Sequence, residues 1–108
     1  MHEILVELLE TLGIDLEWQE YDGNSSEYII FSIYHDEDED FEDDDNSSEV
    51  YYITVTYWFK NKSNINKWKQ IKKLLKNNGF SYEDGKDRRE GALFGRSMDF
   101  TYKLDTEE

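Results

Sequence analysis

Carboxylates dominate the chemistry available to this chain. Between two apolar runs, YIIFSIY and VYYITVTYWF, stands HDEDEDFEDDDNSSE, residues 35–49; nine of the ten residues from 36 to 45 are Asp or Glu, and the tenth is Phe41. Such a density of oxygen ligands raises calcium first. An EF-hand loop wants D-x-D-x-D-G and a Glu at its twelfth position. Counting from Asp38 finds Asp40, Glu42 and Glu49, but Asp43 stands where Gly must make the sharp turn, and apolar strand-like runs rather than helices flank the segment. No dedicated calcium site is expected, only non-specific cation condensation. His2 and His35 stand alone, and the chain has no Cys, so neither a transition-metal site nor a thiolate nucleophile is expected. Paired-carboxylate catalysis needs burial or fixed partners to drive two pKa values apart, which fully wet acids lack. With no G-x-S-x-G, no Gly-rich phosphate loop and no H-E-x-x-H, the residues point to a binding or assembly protein, not an enzyme, with no catalytic residue and no cofactor.

The remaining composition bounds the class. A chain of 108 residues, 37% hydrophobic and 16% aromatic, forms one domain with a modest two-layer core. The first residues, MHEILVELLETLG, carry acids where a signal peptide needs lysines, and no apolar run approaches the roughly 20 residues of a membrane span, so a soluble, non-secreted protein without membrane contact is expected. The net charge of -14 is unevenly spread. Residues 1–59 hold 18 of the 26 acids and no Lys or Arg, whereas residues 60–108 hold 8 acids and all 12 basic residues. Solubility explains the sign of the charge but not its segregation.

The elements that must position these residues can be read from periodicity. Ile4, Leu5, Leu8, Leu9 and Leu12 recur at helical spacing and Gly13 suits a left-handed stop, predicting a helix over 2–12. From Ile14 the period changes to two until the turn formers DGNSS, and residues 28–34 form the next strand. Residues 50–59 form the longest, with Tyr51, Ile53, Val55, Tyr57 and Phe59 on one face and Val50, Tyr52, Thr54, Thr56 and Trp58 on the other, predicting a central strand covered on both sides. After KSN, Ile65, Trp68, Ile71, Leu74 and Leu75 make one seam of a second helix ending near Gly79, with Lys69, Lys72, Lys73 and Lys76 beside it. A short strand in FSYEDGKD and a clean alternation over 93–104 complete the order α-β-β-β-α-β-β. The expected fold is α+β: a mainly antiparallel sheet of four to five strands, two helices that can share one face packed on it, and no βαβ run to suggest a parallel sheet. Residues 36–48, self-repelling and too polar to bury, are expected to form a flexible acidic hairpin loop.

Taken in order, LGI, YIIFSIY, DFEDDD, VYYITVTYWFK, KWKQIKKLLKNNGF and LFGRSMDFTY resemble the small head-tail joining (tail-completion or tail-terminator) proteins of long-tailed phages and prophages of Gram-positive bacteria, over most of the chain. Phe41 falls where that family's loop aromatic stands, Asp43, Asp44 and Asp45 where its Asp pair stands, and Tyr51, Tyr52, Trp58 and Lys60 on its strand signature. The chain departs from the family in its longer acidic run and in lacking Pro. The resemblance implies a virion assembly protein that forms a ring, usually six-fold, at the head-proximal end of the tail tube, meeting the tube protein and the head connector. It would be found in the host cytoplasm during assembly and then in the virion tail. Specific nucleic-acid binding is not implied, although DNA would pass through the ring.

A subunit with one acidic and one basic part can pack head to tail around a closed ring, and Tyr52, Thr54, Thr56, Lys69 and Lys73 are candidate subunit contacts. The acidic segment then has two roles open to it. It is a docking arm with Phe41 as anchor and Asp43, Asp44 and Asp45 matched to basic residues of a partner, or a lumen lining that keeps DNA from sticking. A different class also fits the acids: a DNA-mimicking inhibitor of restriction or CRISPR enzymes, or a small acidic immunity protein against a basic toxin.

Overall fold

The computed structural model describes residues 1–21, 23, 25–40 and 47–105. Helix α1 (His2–Glu10) leads to a short strand β1 (Asp15–Trp18), then to β2 (Glu27–Asp40) and β3 (Ser47–Phe59). A 3-10 turn at Lys62–Asn64 precedes helix α2 (Trp68–Lys76), and β4 (Ser81–Glu90) and β5 (Leu93–Asp105) close the chain. The element order is the expected one, and the fold is α+β. One five-stranded sheet has the order β1-β2-β3-β5-β4, with β3 at its centre.

Helix spacing explains the core. Leu5 and Leu9 of α1 and Ile71 and Leu75 of α2, each pair one turn apart, are fully buried against Ile29 and Phe31 of β2, Ile53, Val55 and Tyr57 of β3, and Met98 and Phe100 of β5. Gly13 (φ +71°) and Gly79 (φ +94°) end the helical segments in the left-handed conformation, as their positions predict. Ile65 leaves the expected seam. The 3-10 turn, capped where the Ser63 N–H donates to Asn61 Oδ1 at 2.9 Å, rotates the chain before α2 begins, so Ile65 is 55% exposed while Trp68 is only half-buried.

Three further expectations are corrected. β1 pairs in parallel with β2, Asp15 opposite Tyr28 through Trp18 opposite Phe31; a strand of only four residues needs no helical crossover, because a short loop can return along its length. β3 is central, as expected, but its covering is uneven: α1 and α2 share one core cluster on one face of the sheet. On the open face Thr56 and Ser97 are nevertheless buried by their neighbours. So is Trp58, which lies flat against Gly95: a Cβ there would stand 2.7 Å from the indole ring.

The acidic stretch is the third correction. Residues 36–40 continue β2, paired with β3 through Asp36 opposite Tyr51, Glu37 opposite Val50 and Asp38 opposite Glu49, and Ser47 and Ser48 belong to β3. Full extension alternates side chains between faces, so like charges on one face stand roughly 6.6 Å apart, a spacing that eases their repulsion while the ladder satisfies the backbone. Of the expected loop over 36–48, Phe41, Asp43, Asp44 and Asp45 lie outside the described residues.

These packing assignments separate two aliphatic side chains of the expected seam, one inside α2 and one before it. Leu75→Ala should destabilise by about 2–5 kcal/mol, whereas Ile65→Ser should stay within about 0.5 kcal/mol of the wild type. Urea unfolding of both variants checks this, and equal losses would return Ile65 to the helix seam.

Candidate assembly surface

The sheet order turns the charge segregation of the chain into a spatial one. The half without a single Lys or Arg builds α1, β1, β2 and β3; the half with every basic residue builds α2, β4 and β5. Because α1 lies by β1 and α2 by β4, the molecule has an acidic side and a basic side, with β3 as the seam. The acids of residues 36–40 lie at the Ser47 end of β3. Arg88, Arg89 and Lys62 lie at its Phe59 end, where the β4–β5 hairpin turns.

Lys67 joins the two halves. Its Nζ donates to Glu27 Oε2 at 2.8 Å, and the Tyr57 hydroxyl donates to the same oxygen from the core. Burial disfavours the Glu27 carboxylate, but the hydrogen bonds from Lys67 and Tyr57, with the lysine charge, more than offset it and hold the carboxyl below its usual range. Burial, with the Glu27 hydrogen bond and charge adding to it, pushes the Tyr57 hydroxyl far up, so it remains a donor.

The open face holds three of the expected contact residues. The Tyr52 hydroxyl donates to Glu37 Oε1 at 2.7 Å, Thr54 Oγ1 donates to Asp99 Oδ1 at 2.9 Å, and the Thr56 and Ser97 hydroxyls share a 3.1 Å bond. The bond from Tyr52, helped by His35, lowers the Glu37 pKa against an opposing desolvation. Thr56, only 8% exposed, is therefore a cross-strand brace rather than a surface for a neighbour, while Tyr34 at 57% and the half-buried Tyr52 remain accessible beside it. Lys69 and Lys73 are exposed on α2, where with Lys72 and Lys76 they frame a shallow basic depression. The structure thus places the open-face residues and the lysines on different faces.

A feature missed in the sequence lies at the Phe59 end. The rings of Phe59, Trp68 and Phe94 wall a cleft of about 320 Å³, rimmed by Lys62, Arg88 and Arg96. Arg96 stands on the helix-facing side of β5, where its guanidinium lies 4.3 Å from the Trp68 ring. Its Nη1 donates to Asp87 Oδ1 at 3.2 Å and its Nη2 to the Tyr82 hydroxyl at 3.5 Å, yet its Nε is buried without a partner among the described residues. The signal was an arginine interrupting the apolar face of an alternating strand, between Phe94 and Met98.

Among the described residues no three His, Asp or Glu side chains converge as metal ligands, and no helix is long and apolar enough to cross a membrane. His2 packs edge-on against Trp18, and His35 lies against the Tyr52 ring with its Nε2 3.6 Å from Glu37.

A depressed carboxyl pKa contributes stability above the pKa of the unfolded chain, and that contribution is lost as pH falls through the folded value. Glu27→Gln should therefore lower the Tm at pH 7, and the gap to the wild type should narrow once pH drops below the 4.5 of a free Glu. Thermal melts from pH 7 to pH 3 test this; a gap independent of pH would mean that the Glu27 charge does not matter. No family model matches the sequence, and no curated protein matches it.

Proposed function

We propose that this chain is a structural assembly subunit that closes a ring by head-to-tail contact between unlike charges, in the manner of the phage head-tail joining proteins its sequence resembles. The observation that carries this role is the sorting of the basic residues to the α2, β4 and β5 side of a single sheet, with Lys62, Arg88 and Arg89 at the end opposite the acid-bearing strand end. A subunit with different charge on opposite flanks opposes like charges when it binds itself through one flank about a two-fold axis. It can bind a rotated copy flank to flank, and repeated rotation closes a ring.

In that setting six copies would sit between tail tube protein and head connector, first in the host cytoplasm and then in the virion tail. Charge complementarity would set register and speed of assembly more than final affinity. The open sheet face, with Tyr34 and Tyr52 above a satisfied Thr and Ser ladder, suits contact with an adjoining protein.

Deleting the gene from the phage or prophage that carries it should give DNA-filled heads and unattached tails by negative-stain electron microscopy. Normal virions from the deletion would end this assignment.

One observation favours a second role. Asp36 and Asp38 project from one face of a paired strand roughly 6.6 Å apart, a spacing that approaches that of successive phosphates, as a DNA-mimicking inhibitor requires. Such an inhibitor acts without a ring and displaces duplex DNA from a basic enzyme surface. The lysines of α2 oppose it, because a cationic flank attracts the DNA that a mimic must replace.

A further inference from the structure

We infer that the aromatic cleft at the Phe59 end of the sheet is the receptor for the acidic segment of a second copy of this chain, with Phe41 of that copy seated between the rings. This contact rests on the head-to-tail assembly proposed above and gives it an interface.

Chemistry selects the occupant. Three cations and one acid line the cleft, and the acid, Asp87, is already paired with Arg96. Lys62 and Arg89 lie 5.6 Å and 4.6 Å from the Phe94 ring, so cationic groups crowd an aromatic surface. The exposed Ile65 stands among the lining residues, and the buried Nε of Arg96 lacks an acceptor among the described residues. A complementary ligand carries a row of carboxylates and one large apolar side chain. Residues 36–45 consist of nine carboxylates and Phe41. At about 320 Å³ the cleft lies at the small end of ligand sites and suits a side chain or two rather than an extended molecule.

Geometry requires that the donor be another copy. The strand β3 separates the acidic end from the cleft by 13 residues, or about 43 Å at 3.3 Å per residue. Residues 41–46, tethered to β2 and β3 at their two ends, extend at most roughly 21 Å as a chain and reach half as far from their anchors. The segment cannot fold back onto its own cleft. Placed at opposite ends of one strand, donor and receptor form a heterologous pair, the arrangement that a ring needs.

The test uses a labelled synthetic peptide of residues 35–49, titrated by fluorescence anisotropy with the full chain carrying Phe41→Ala and Asp43, Asp44 and Asp45 to Asn, so that its own segment does not compete. Saturable binding is expected, weakened at least tenfold by Arg88→Glu or Ile65→Ser, both exposed positions, and at least tenfold when the peptide carries Phe41→Ala. Absent binding, indifference to the cleft substitutions, indifference to Phe41, or tighter capture of a single-stranded oligonucleotide by the same cleft would each overturn it. Native mass measurement gives an independent check: mixing the segment-deficient chain with a chain carrying Arg88→Glu and Ile65→Ser should yield 1:1 dimers and nothing larger. Symmetric self-association of either variant would also overturn the contact. If the peptide fails to bind while deletion of the gene still leaves heads and tails apart, the joining role stands and this interface falls.

Discussion

Everything in this molecule hangs on the backbone ladder of β3. Its 13 residues pair with β2 along one edge and with β5 along the other, Ser48 opposite Asp105 through Phe59 opposite Phe94. With no disulfide and two short α-helices among the described residues, this doubly paired strand is where burial and hydrogen bonding coincide. Ile53, Val55 and Tyr57 bury fully beneath the helices, while Thr56 and Trp58 are shielded from the other side by cross-strand partners. A strand so held can carry features at both ends that would not fold by themselves.

The acidic extension of β2 is one such feature. Side by side, Asp38 and Glu49 are like charges in directly opposite positions, an unfavourable cross-strand pair. The ladder tolerates them because a repelling chain prefers extension, and a strand is extended. One of the acids gains a partner there: Glu37 accepts from Tyr52, three residues beyond the bulge that sets Ile33 and His35 opposite consecutive β3 residues. That bulge turns both Tyr34 and His35 toward the open face and reverses the alternation beyond them.

At the far end the logic is inverted. Arginines and lysines surround aromatic rings, with the Arg96 guanidinium 4.3 Å from the Trp68 ring and Lys62 and Arg89 beside the Phe94 ring. Arg96 is paired with Asp87, but Lys62 and Arg89 sit beside apolar surface with no acid partner among the described residues, in a protein with more than twice as many acids as bases. Neutralisation within the subunit is used across this end by Lys67 with Glu27 and by Arg96 with Asp87, and it leaves Lys62, Arg88 and Arg89 without an acid partner among the described residues. A charge arrangement left unmatched inside one subunit is available to match another.

The sequence by itself determined the element order, the helix stops at Gly13 and Gly79, the core stripes of α1, α2 and β3, and the separation of acids from bases, because each follows from local periodicity or from counting. It was silent where the answer depends on which segments become neighbours. The parallel pairing of β1 and the exposure of Ile65 follow from how short connections return, which no period records. Extension of β2 into the acids was illegible for the same reason: repulsion argued for a loop, and only a partner strand across the ladder makes an ordered alternative. The cleft shows the limit most plainly. Phe59, Trp68 and Arg96 come from three separate elements, and Arg96 read as a break in an apolar stripe until the fold laid an indole ring against it. Tertiary structure alone decided that the sorted charges of the chain would become two opposite flanks of one sheet.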